Sequence, residues 1–543
     1  MSLKKLVGLI VGLGGLAACF VIDLPGLSFP GTLTLGIFWM AAVFWITEPV
    51  PIFATSMLVI FMQVVLLSNQ GPINLYTSVP TTVAEPVSDT HWSLPSTALT
   101  DHENPGVYVQ RESDRFTLQP VTLVAEDGSR ITVTGLSAGT LIVATDATYW
   151  KIHYTPQKFG EFYAALASPI IILFLGGFAL AAAAVKYGLD LSLTRVLLRP
   201  FGSRPAMVCL GLMLVTALLS AFMSNTATTA MMMTVVLPII AQLQKTDPFR
   251  KVIALSIPVA ANIGGIATPI GSPPNAIALA ALREQGIAIA FSTWMAMAVP
   301  LMLILLVIGW QILLRLHPPA LREFKLKLEG RFNRSPKALA TYIIFGLTVL
   351  LWTTEKLHGI PASVIAFLPV ALLPAIGVLG KEDIRGFSWE VLWLVAGGIS
   401  LGLSMQSTGM ADWLVSQIGW QHLGGVGLVI VFALVGFVIA NLISHTVSAT
   451  MLIPLAVGLA LSGAGGEGFD LASAIIIIAV VVSFSMVLPI STPPNAIAMS
   501  SGMIETADLA KSGLIIGLIG FVATVLFGLW VWPFFLNSTV LIP

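Results

Sequence analysis

Four short polar motifs interrupt long apolar stretches of the chain, and they occur as two pairs. One pair is SNT at 224–226 and SHT at 444–446, and the other is SPPN at 272–275 and TPPN at 492–495. Prolines split a helix, and the new helix ends leave carbonyls that attract cations and amide groups that attract anions. Hydroxyl and amide side chains add neutral hydrogen bonds for either kind of ligand. The four motifs together predict one anion site flanked by two cation sites.

The motifs belong to a duplicated unit with a constant spacing. Ser224 pairs with Ser444 and Asn275 with Asn495, each pair 220 residues apart, and two double-glycine motifs are 221 residues apart. An odd number of predicted spans separates the copies, so they must have opposite orientations in a bilayer. Inverted repeats are typical of secondary transporters, whose site lies near the midplane between the repeats. The alternative is two fused copies of a structural bundle without a pathway, but buried polar breaks are costly unless they line a cavity.

The composition is that of a membrane protein. Of 543 residues, 56% are apolar and only 10% are charged, and the mean hydropathy is +0.93. Apolar windows long enough to cross a bilayer number about eleven. Two further stretches, 207–241 and 427–461, are predicted re-entrant hairpins, because the positions of the basic loops require them to enter and leave on one side. The predicted fold class is an all-α polytopic membrane protein with two re-entrant hairpins in inverted repeats, plus a small extracytoplasmic β insert.

Positive charges beside the spans predict the orientation, since cytoplasmic loops retain Lys and Arg. Two lysines next to the first span place the N-terminus in the cytoplasm, and the count of spans places the insert and the C-terminus in the periplasm. We expect four parts: N-terminal scaffold helices at 1–69, the insert at 70–160, a first repeat at 161–337 and a second, inverted repeat at 338–543.

Residues 70–160 break the membrane pattern and predict a β domain. The stretch is polar and alternating, with runs such as FTLQPVTLV and TLIVAT separated by the turn sequences EDGS and SAGT. From Asn104 to Thr148 it is similar to the β-rich, membrane-proximal part of periplasmic adaptor subunits of tripartite efflux pumps. That resemblance implies the cell inner membrane of a Gram-negative bacterium, with a periplasmic protein as a candidate partner of the insert. An inert decorating domain is the alternative.

The paired motifs also carry a family resemblance. The strings SNTATTAMM and TPPNAIA, the segment LFLGGF and the turn TEPVPI at 47–52 resemble those of the divalent anion:sodium symporter family of dicarboxylate, citrate and sulfate carriers. The resemblance covers 1–68 and 160–543 of the chain. It implies a homodimer of inverted repeats in which a transport domain moves against a dimeric scaffold as an elevator.

By position, the resemblance implies roles for individual residues. A first sodium site would be formed by Ser220, Ser224, Asn225 and Gly271. The substrate would meet Asn225, Thr226, Ser444, His445, Thr446 and Thr492, with Pro273 and Pro493 shaping the site. A second sodium site would involve Ser491 and His445. Sodium is the expected co-transported ion, and a small dicarboxylate anion is the expected substrate.

The chain departs from the family pattern at the second sodium site. His445 stands where the family has asparagine, and Ala440 stands where a hydroxyl would help to bind sodium. The sequence does not decide whether a second sodium ion binds. One interpretation of His445 is a neutral ring that is hydrogen-bonded to a neighbour. The other is an imidazolium that supplies the missing charge; a site that stays charged when empty resists reorientation without an anion, which favours obligatory exchange.

The leading hypothesis is a secondary carrier of C4-type dicarboxylates that works by sodium symport or by exchange. A sulfate or other inorganic oxyanion carrier of the same fold is the second hypothesis. A third, of another class, is an envelope interaction protein that works through the β insert. The sequence shows no nucleophile–base pair, metal-ligand cluster or phosphate-binding loop, so we expect neither an enzyme nor a nucleic-acid partner.

Overall fold

The structure is a computed structural model. It describes residues 2–22, 24–71, 81–88, 90–99, 105–112, 115–143, 157–241, 243–244, 246–320, 323, 332–417, 424–461 and 470–536. The helices before the first hairpin are α1 Leu3–Ala18, α2 Phe29–Thr47, α3 Ile52–Leu66, α4 Phe159–Ala164, α5 Pro169–Lys186 and α6 Leu189–Leu198. The next are α7 Pro205–Phe222, α8 Asn225–Ala241, α9 Phe249–Gly265, α10 Pro273–Glu284, α11 Phe291–Leu316, α12 Pro336–Thr353, α13 Glu355–His358, α14 Ala362–Ala375 and α15 Lys381–Arg385. The last are α16 Trp389–Ser407, α17 Met410–Ser416, α18 Gly424–Leu442, α19 His445–Leu461, α20 Leu471–Val482, α21 Pro493–Ser500, α22 Thr506–Trp530 and α23 Pro533–Leu536.

Three of the long apolar helices begin with a serine N-cap followed by a proline. Ser28, Ser168 and Ser335 are the N-caps of α2, α5 and α12, and each is followed by a proline in the first turn. Each hydroxyl accepts a hydrogen bond from the amide three residues later, at 3.1, 3.3 and 3.2 Å respectively. A serine cap satisfies an amide that the helix cannot, and proline at this position has no amide to satisfy. The sequence therefore fixes where these helices start.

Within the described residues, seven helical segments are long and apolar enough to cross a membrane, and several shorter apolar helices accompany them. The apolar stretches 253–282 and 473–500 are each divided into two helices, α9 with α10 and α20 with α21. The predicted all-α polytopic class with a small β part is confirmed. The number of membrane crossings and the orientation stay predictions.

The chain forms two compact units, and the first consists of Met1–Val50, Leu58–Ala164 and Ser400–Gln417. In this unit α1 packs against α2, and Trp39 Nε1 donates to the Val11 carbonyl at 3.2 Å. The Gln63 amide exchanges hydrogen bonds with Ser400 and Ser404 at 2.5–2.8 Å, so α3 is joined to the end of α16. The domain boundaries predicted from the sequence stay predictions.

The first unit also contains the β part, which occupies 81–143. Its strands are β1 Thr81–Val83, β2 Glu85–Ser88, β3 His91–Pro95, β4 Gly106–Glu112, β5 Arg115–Pro120, β6 Thr122–Asp127, β7 Arg130–Thr134 and β8 Leu141–Val143. They form two antiparallel four-stranded sheets, ordered β1-β8-β4-β5 and β2-β3-β7-β6. Alternate residues of β3 and β7 are buried, among them Trp92, Leu94, Ile131 and Val133, as period-2 patterning predicts.

The β strands confirm the β-rich character of the insert. The ends of the predicted insert, at 72–80 and 144–156, lie outside the described residues. Its periplasmic position and its resemblance to efflux adaptor subunits stay predictions.

The second unit consists of Pro51–Met57, Ala165–Ile399 and Ile418–Pro543, and it contains both copies of the duplicated motifs. The two predicted hairpins are pairs of helices, α7 with α8 and α18 with α19, each interrupted at the polar tripeptide. The broken helices are α9 with α10 and α20 with α21. In each repeat the first hairpin arm packs against the broken helix, α7 against α9 and α18 against α20. Whether each hairpin enters and leaves on one side stays a prediction.

The repeats are also packed into one another. Helix α10 of the first repeat lies against α19 of the second, and α21 of the second repeat lies against α8 of the first. Each broken helix therefore contacts the hairpin of the other copy. The polar breaks of the two repeats are consequently parts of one region of the molecule.

The double glycines of the duplicated unit allow close helix contacts. A Cβ atom at Gly176 would lie 2.6 Å from the carbonyl oxygen of Ala366 on α14, and a Cβ at Gly397 would lie 2.5 Å from the Cβ of Ser56 on α3. Neither position has room for a side chain. The repeated glycines thus have a packing role, because they bring α5 against α14 and α16 against α3.

Candidate functional site

The first polar break places three oxygen-bearing groups around one amide. Asn225 begins α8 and is 8% exposed. One of its amide atoms lies 2.5 Å from Ser220 Oγ, 2.9 Å from the Gly271 carbonyl oxygen and 3.3 Å from the Ala261 carbonyl oxygen. With nitrogen at this position, all three atoms are possible acceptors for the two hydrogens of the amide. With oxygen there, four oxygen atoms face one another, an arrangement that a cation stabilises. We call Ser220, Asn225, Ala261 and Gly271 the first cluster.

Neighbouring side chains form hydrogen bonds with the other polar backbone groups of the first break. Ser224 caps α8, since its hydroxyl accepts from the amide of Ala227 at 3.1 Å. Asn275 Nδ2 donates to the carbonyls of Gly265 and Thr268 at 2.9 and 2.8 Å, within the break between α9 and α10. These two carbonyls, freed by the break, are thus already paired. The carbonyl of Gly271 remains directed at Asn225.

The second break has a different set of groups at the matching positions. Ala440, His445 and Ser491 lie 220 residues after Ser220, Asn225 and Gly271. The backbone nitrogen and the ring Nδ1 of His445 each lie 3.4 Å from the Ser491 carbonyl oxygen. Because a carbonyl only accepts, Nδ1 carries hydrogen in this contact. The second cluster, Ala440, His445 and Ser491, therefore has a methyl group and a ring where the first has a hydroxyl and an amide.

Not every predicted site residue takes part in these clusters. The structure brings Ser220, Asn225 and Gly271 together, and it brings His445 to Ser491. The remaining predicted residues lie at helix starts nearby: Ser224 and Ser444 are half-buried, Thr226 is exposed, Thr446 and Thr492 are buried, and Pro273 and Pro493 begin α10 and α21.

The functional assignment follows from comparison with known proteins. The model of the citrate transporter family CitMHS matches residues 121–480 and 349–537. The chain belongs to this family. It is accordingly a multi-pass membrane transporter and not an enzyme.

Curated relatives of this transporter cover most of the same length. An uncharacterized transporter from Haemophilus influenzae is 33% identical over 388 residues, which are 67% of this chain and 82% of that protein. Sodium-dependent high-affinity dicarboxylate transporter 3 of Caenorhabditis elegans is 31% identical over 418 residues, 65% of this chain and 73% of that protein. The sodium-dependent dicarboxylate transporter SdcS of Staphylococcus aureus is 30% identical over 427 residues, 71% of this chain and 80% of that protein. The resemblance to the divalent anion:sodium symporter family is confirmed.

A solved structure also aligns with this transporter. The YdaH transporter of Alcanivorax borkumensis has a TM-score of 0.49 and 14% identity, covering 76% of this chain and 93% of that one. This similarity is too low to support an argument about the site.

Sequence reasoning missed one residue that joins the two repeats. Asn262, on α9, is 1% exposed, and its Nδ2 donates to Thr492 Oγ1 and to Asn495 Oδ1, both at 3.2 Å. The available signal was an amide side chain in an apolar helix, which is costly in a membrane segment unless it has partners. The repeat pattern indicates only that Asn275 and Asn495 correspond, whereas in the structure each donates to a carbonyl of its own break.

Proposed function

We propose that this transporter carries small divalent carboxylates of the succinate, malate and fumarate type across the inner membrane, with sodium as the co-transported ion. The observation that carries the proposal is the pair of unequal clusters. The first keeps an oxygen-rich set around Asn225, and the second has His445 and Ala440 in the matching positions. The names of the nematode and staphylococcal relatives, both sodium-dependent dicarboxylate transporters, support the same assignment.

Sodium binds in the first cluster. Two carbonyl oxygens, one hydroxyl and one amide oxygen are neutral oxygen donors of the kind that unwound transporter helices offer to Na⁺. The inward orientation of the Asn225 oxygen is unfavourable without a cation and favourable with one. Ion binding therefore selects one orientation of this amide.

His445 replaces the second sodium ion with a neutral hydrogen-bond donor. The residue is 5% exposed, and within the described part of the chain its ring contacts the Ser491 carbonyl and no carboxylate. A buried imidazolium without a counter-charge costs free energy that a neutral ring does not. The neutral ring favours net sodium-coupled transport over obligatory exchange.

The substrate anion binds between the repeats and is held by neutral donors. Thr226, Ser444, Thr446 and Thr492 supply hydroxyl groups at the starts of α8, α19 and α21, where helix dipoles also favour negative charge. The four motifs contain no arginine or lysine. Neutral donors bind a dianion less tightly than fixed charges would, and a carrier must release its substrate.

Helix packing supports an elevator motion. Within the second unit, α11 packs against α22 and against α7 and α9, which carry Ser220 and Ala261 of the first cluster, whereas α14 packs against α5 and α12. We propose that the group of helices around the clusters moves as one body against the group around α14. In the proposed homodimer, the second group belongs to the scaffold.

The test is uptake of labelled succinate into proteoliposomes, with and without external sodium and with and without internal succinate. We expect sodium-dependent uptake into empty vesicles, with malate and fumarate as strong competitors and sulfate as a weak one. His445→Asn is the comparison variant, and it is expected to retain net uptake.

Two outcomes would contradict the proposal. In the first, wild-type uptake does not depend on sodium and requires internal succinate, but uptake by His445→Asn is sodium-dependent. The protein would then be an exchanger because of His445. Transport of sulfate without transport of any dicarboxylate would favour an inorganic oxyanion carrier.

A further inference from the structure

One side chain of the first repeat reaches into the break of the second. Asn262 Nδ2 donates to Thr492 Oγ1 and Asn495 Oδ1, both at 3.2 Å. All three residues are at most 1% exposed, so these bonds form away from water. Asn495 in turn directs its own Nδ2 at the Leu488 carbonyl and Ser491 Oγ, at 3.1 and 3.3 Å. Asn262 therefore orients two residues of the second break.

The duplicated sequence supplies a comparison within the same molecule. The residue 220 positions after Asn262 is Val482, which is fully buried. The first-repeat counterparts of Thr492 and Asn495 are Ser272 and Asn275. Among the described residues, Ser272 Oγ and Asn275 Oδ1 are buried without a hydrogen-bond partner. The two atoms that accept from Asn262 in the second break correspond to the two that have no partner in the first break, and the residue matching Asn262 is a valine.

The consequence concerns the Thr492 hydroxyl. Its oxygen accepts a hydrogen bond from Asn262, so its own hydrogen is available for another acceptor. A hydroxyl that already accepts is also a better donor, because hydrogen bonds in a chain polarise one another. A substrate carboxylate beside the break is such an acceptor.

We propose that Asn262 is a positioning residue that makes the Thr492 hydroxyl a donor to the substrate carboxylate. It does not touch the substrate; it acts through Thr492. The second repeat thereby binds the anion more strongly at this position than the first repeat does at Ser272. This inference rests on the proposed function, in which Thr492 lies at the substrate.

The test uses the natural difference between the repeats. Asn262→Val gives the first repeat the residue that the second repeat has at the matching position, and Val482→Asn is the matched control. In sodium-driven succinate uptake, we expect Asn262→Val to raise KM by about 3- to 10-fold, the value of one hydrogen bond, with Vmax changed by less than about twofold. The sodium concentration for half-maximal rate at saturating succinate should be unchanged, since Asn262 is not in the first cluster. Val482→Asn should leave KM unchanged.

A double-mutant cycle separates positioning from a general structural role. Thr492→Val alone should raise the KM for succinate. Adding Asn262→Val should raise it by less than about twofold more, because both substitutions remove the same hydrogen bond between Thr492 and the substrate. If Asn262→Val fails to fold, Asn262→Thr takes its place in the cycle; a single hydroxyl cannot serve both partners, so KM is again expected to rise.

Three results would overturn the inference. The KM could be unchanged in Asn262→Val, or it could rise equally in Val482→Asn. The third result is that the KM increases of Asn262→Val and Thr492→Val multiply fully in the double variant. Failure of the proposed function is a separate observation, namely absence of dicarboxylate uptake by the wild type. In that case the thermal midpoint of the purified protein still reports the hydrogen bonds of Asn262. Equal midpoints for wild type and Asn262→Val would then overturn the inference as well.

Discussion

His445 Nδ1 lies 3.4 Å from the carbonyl oxygen of Ser491, and the first repeat has Asn225 in the corresponding place, 2.9 Å from the Gly271 carbonyl. An amide can turn either its nitrogen or its oxygen toward a carbonyl, whereas the ring presents N–H in this contact. Only the amide can therefore join the carbonyl in binding a cation. The two copies of the unit therefore differ in the ligands that they offer to a cation.

Restoring the first-cluster residues in the second repeat should restore a second ion site. The double variant Ala440→Ser/His445→Asn recreates the hydroxyl and amide of Ser220 and Asn225. We expect the Hill coefficient for sodium activation of succinate uptake to rise from about 1 toward 2. Ala440→Ser alone is the control and should stay near the wild-type value. A double variant that transports well with an unchanged coefficient would show that sodium does not bind there.

Removing an oxygen from the first cluster should weaken sodium dependence selectively. Ser220→Ala deletes the hydroxyl that lies 2.5 Å from the Asn225 amide. We expect the half-maximal sodium concentration to rise by about 10- to 100-fold, since hydrogen-bonding groups that face a charge contribute about 1.5–3 kcal/mol. The matched control is Ser256→Ala, a fully buried serine whose hydroxyl donates to the Ile253 carbonyl of its own helix. Equal shifts in both variants would exclude a specific role for Ser220.

Glu355 should stabilise the start of two helices at once. Its carboxylate accepts from the amide of Phe291, which begins α11, at 2.6 Å, and from the amide of Ala362, which begins α14, at 3.1 Å. Glu355→Ala should lower the free energy of unfolding by about 2 kcal/mol, roughly one for each lost cap. The measurement is detergent or thermal unfolding, with the exposed Glu390→Ala as control. A loss no larger than that of the control would contradict the role.

Replacing the β part should leave uptake intact. Its first and last strands are antiparallel neighbours, with Thr81 paired with Val143, and adjacent strands lie about 5 Å apart. Outside the sheets, the backbone N–H of Asn69 donates to the backbone carbonyl of Gln157 at 3.0 Å. A short Gly-Ser linker in place of residues 81–143 therefore spans the gap without strain, and we expect succinate uptake within about twofold of wild type. Loss of uptake from well-folded protein would show that the insert takes part in transport.

The breaks and their pairing could be predicted from the sequence because their determinants are local. Proline at the start of α10 and α21 and the serine at position 224 specify helix starts wherever they occur. The substitution of histidine at 445 was likewise visible once the repeats were aligned.

The role of Asn262 could not be predicted, since its partners are 230 and 233 residues away. The alignment of the repeats pairs it with a valine and gives no sign of a function. Its importance depends on how the repeats interlock. Packing of α9 against α21 is a property of the folded chain and not of either copy alone.

The interlocked repeats also set the order in which the protein can be completed. During synthesis, the α9 helix with Asn262 enters the membrane well before Thr492 and Asn495 have been made, as more than 200 residues separate them. Until then its amide is an unpaired polar group in a helix that must wait in the bilayer. During this interval the Asn262 amide needs temporary hydrogen-bond partners, which lipid headgroups, water or the insertion machinery can provide. The first half of the chain therefore cannot reach its final structure before the second half has been inserted.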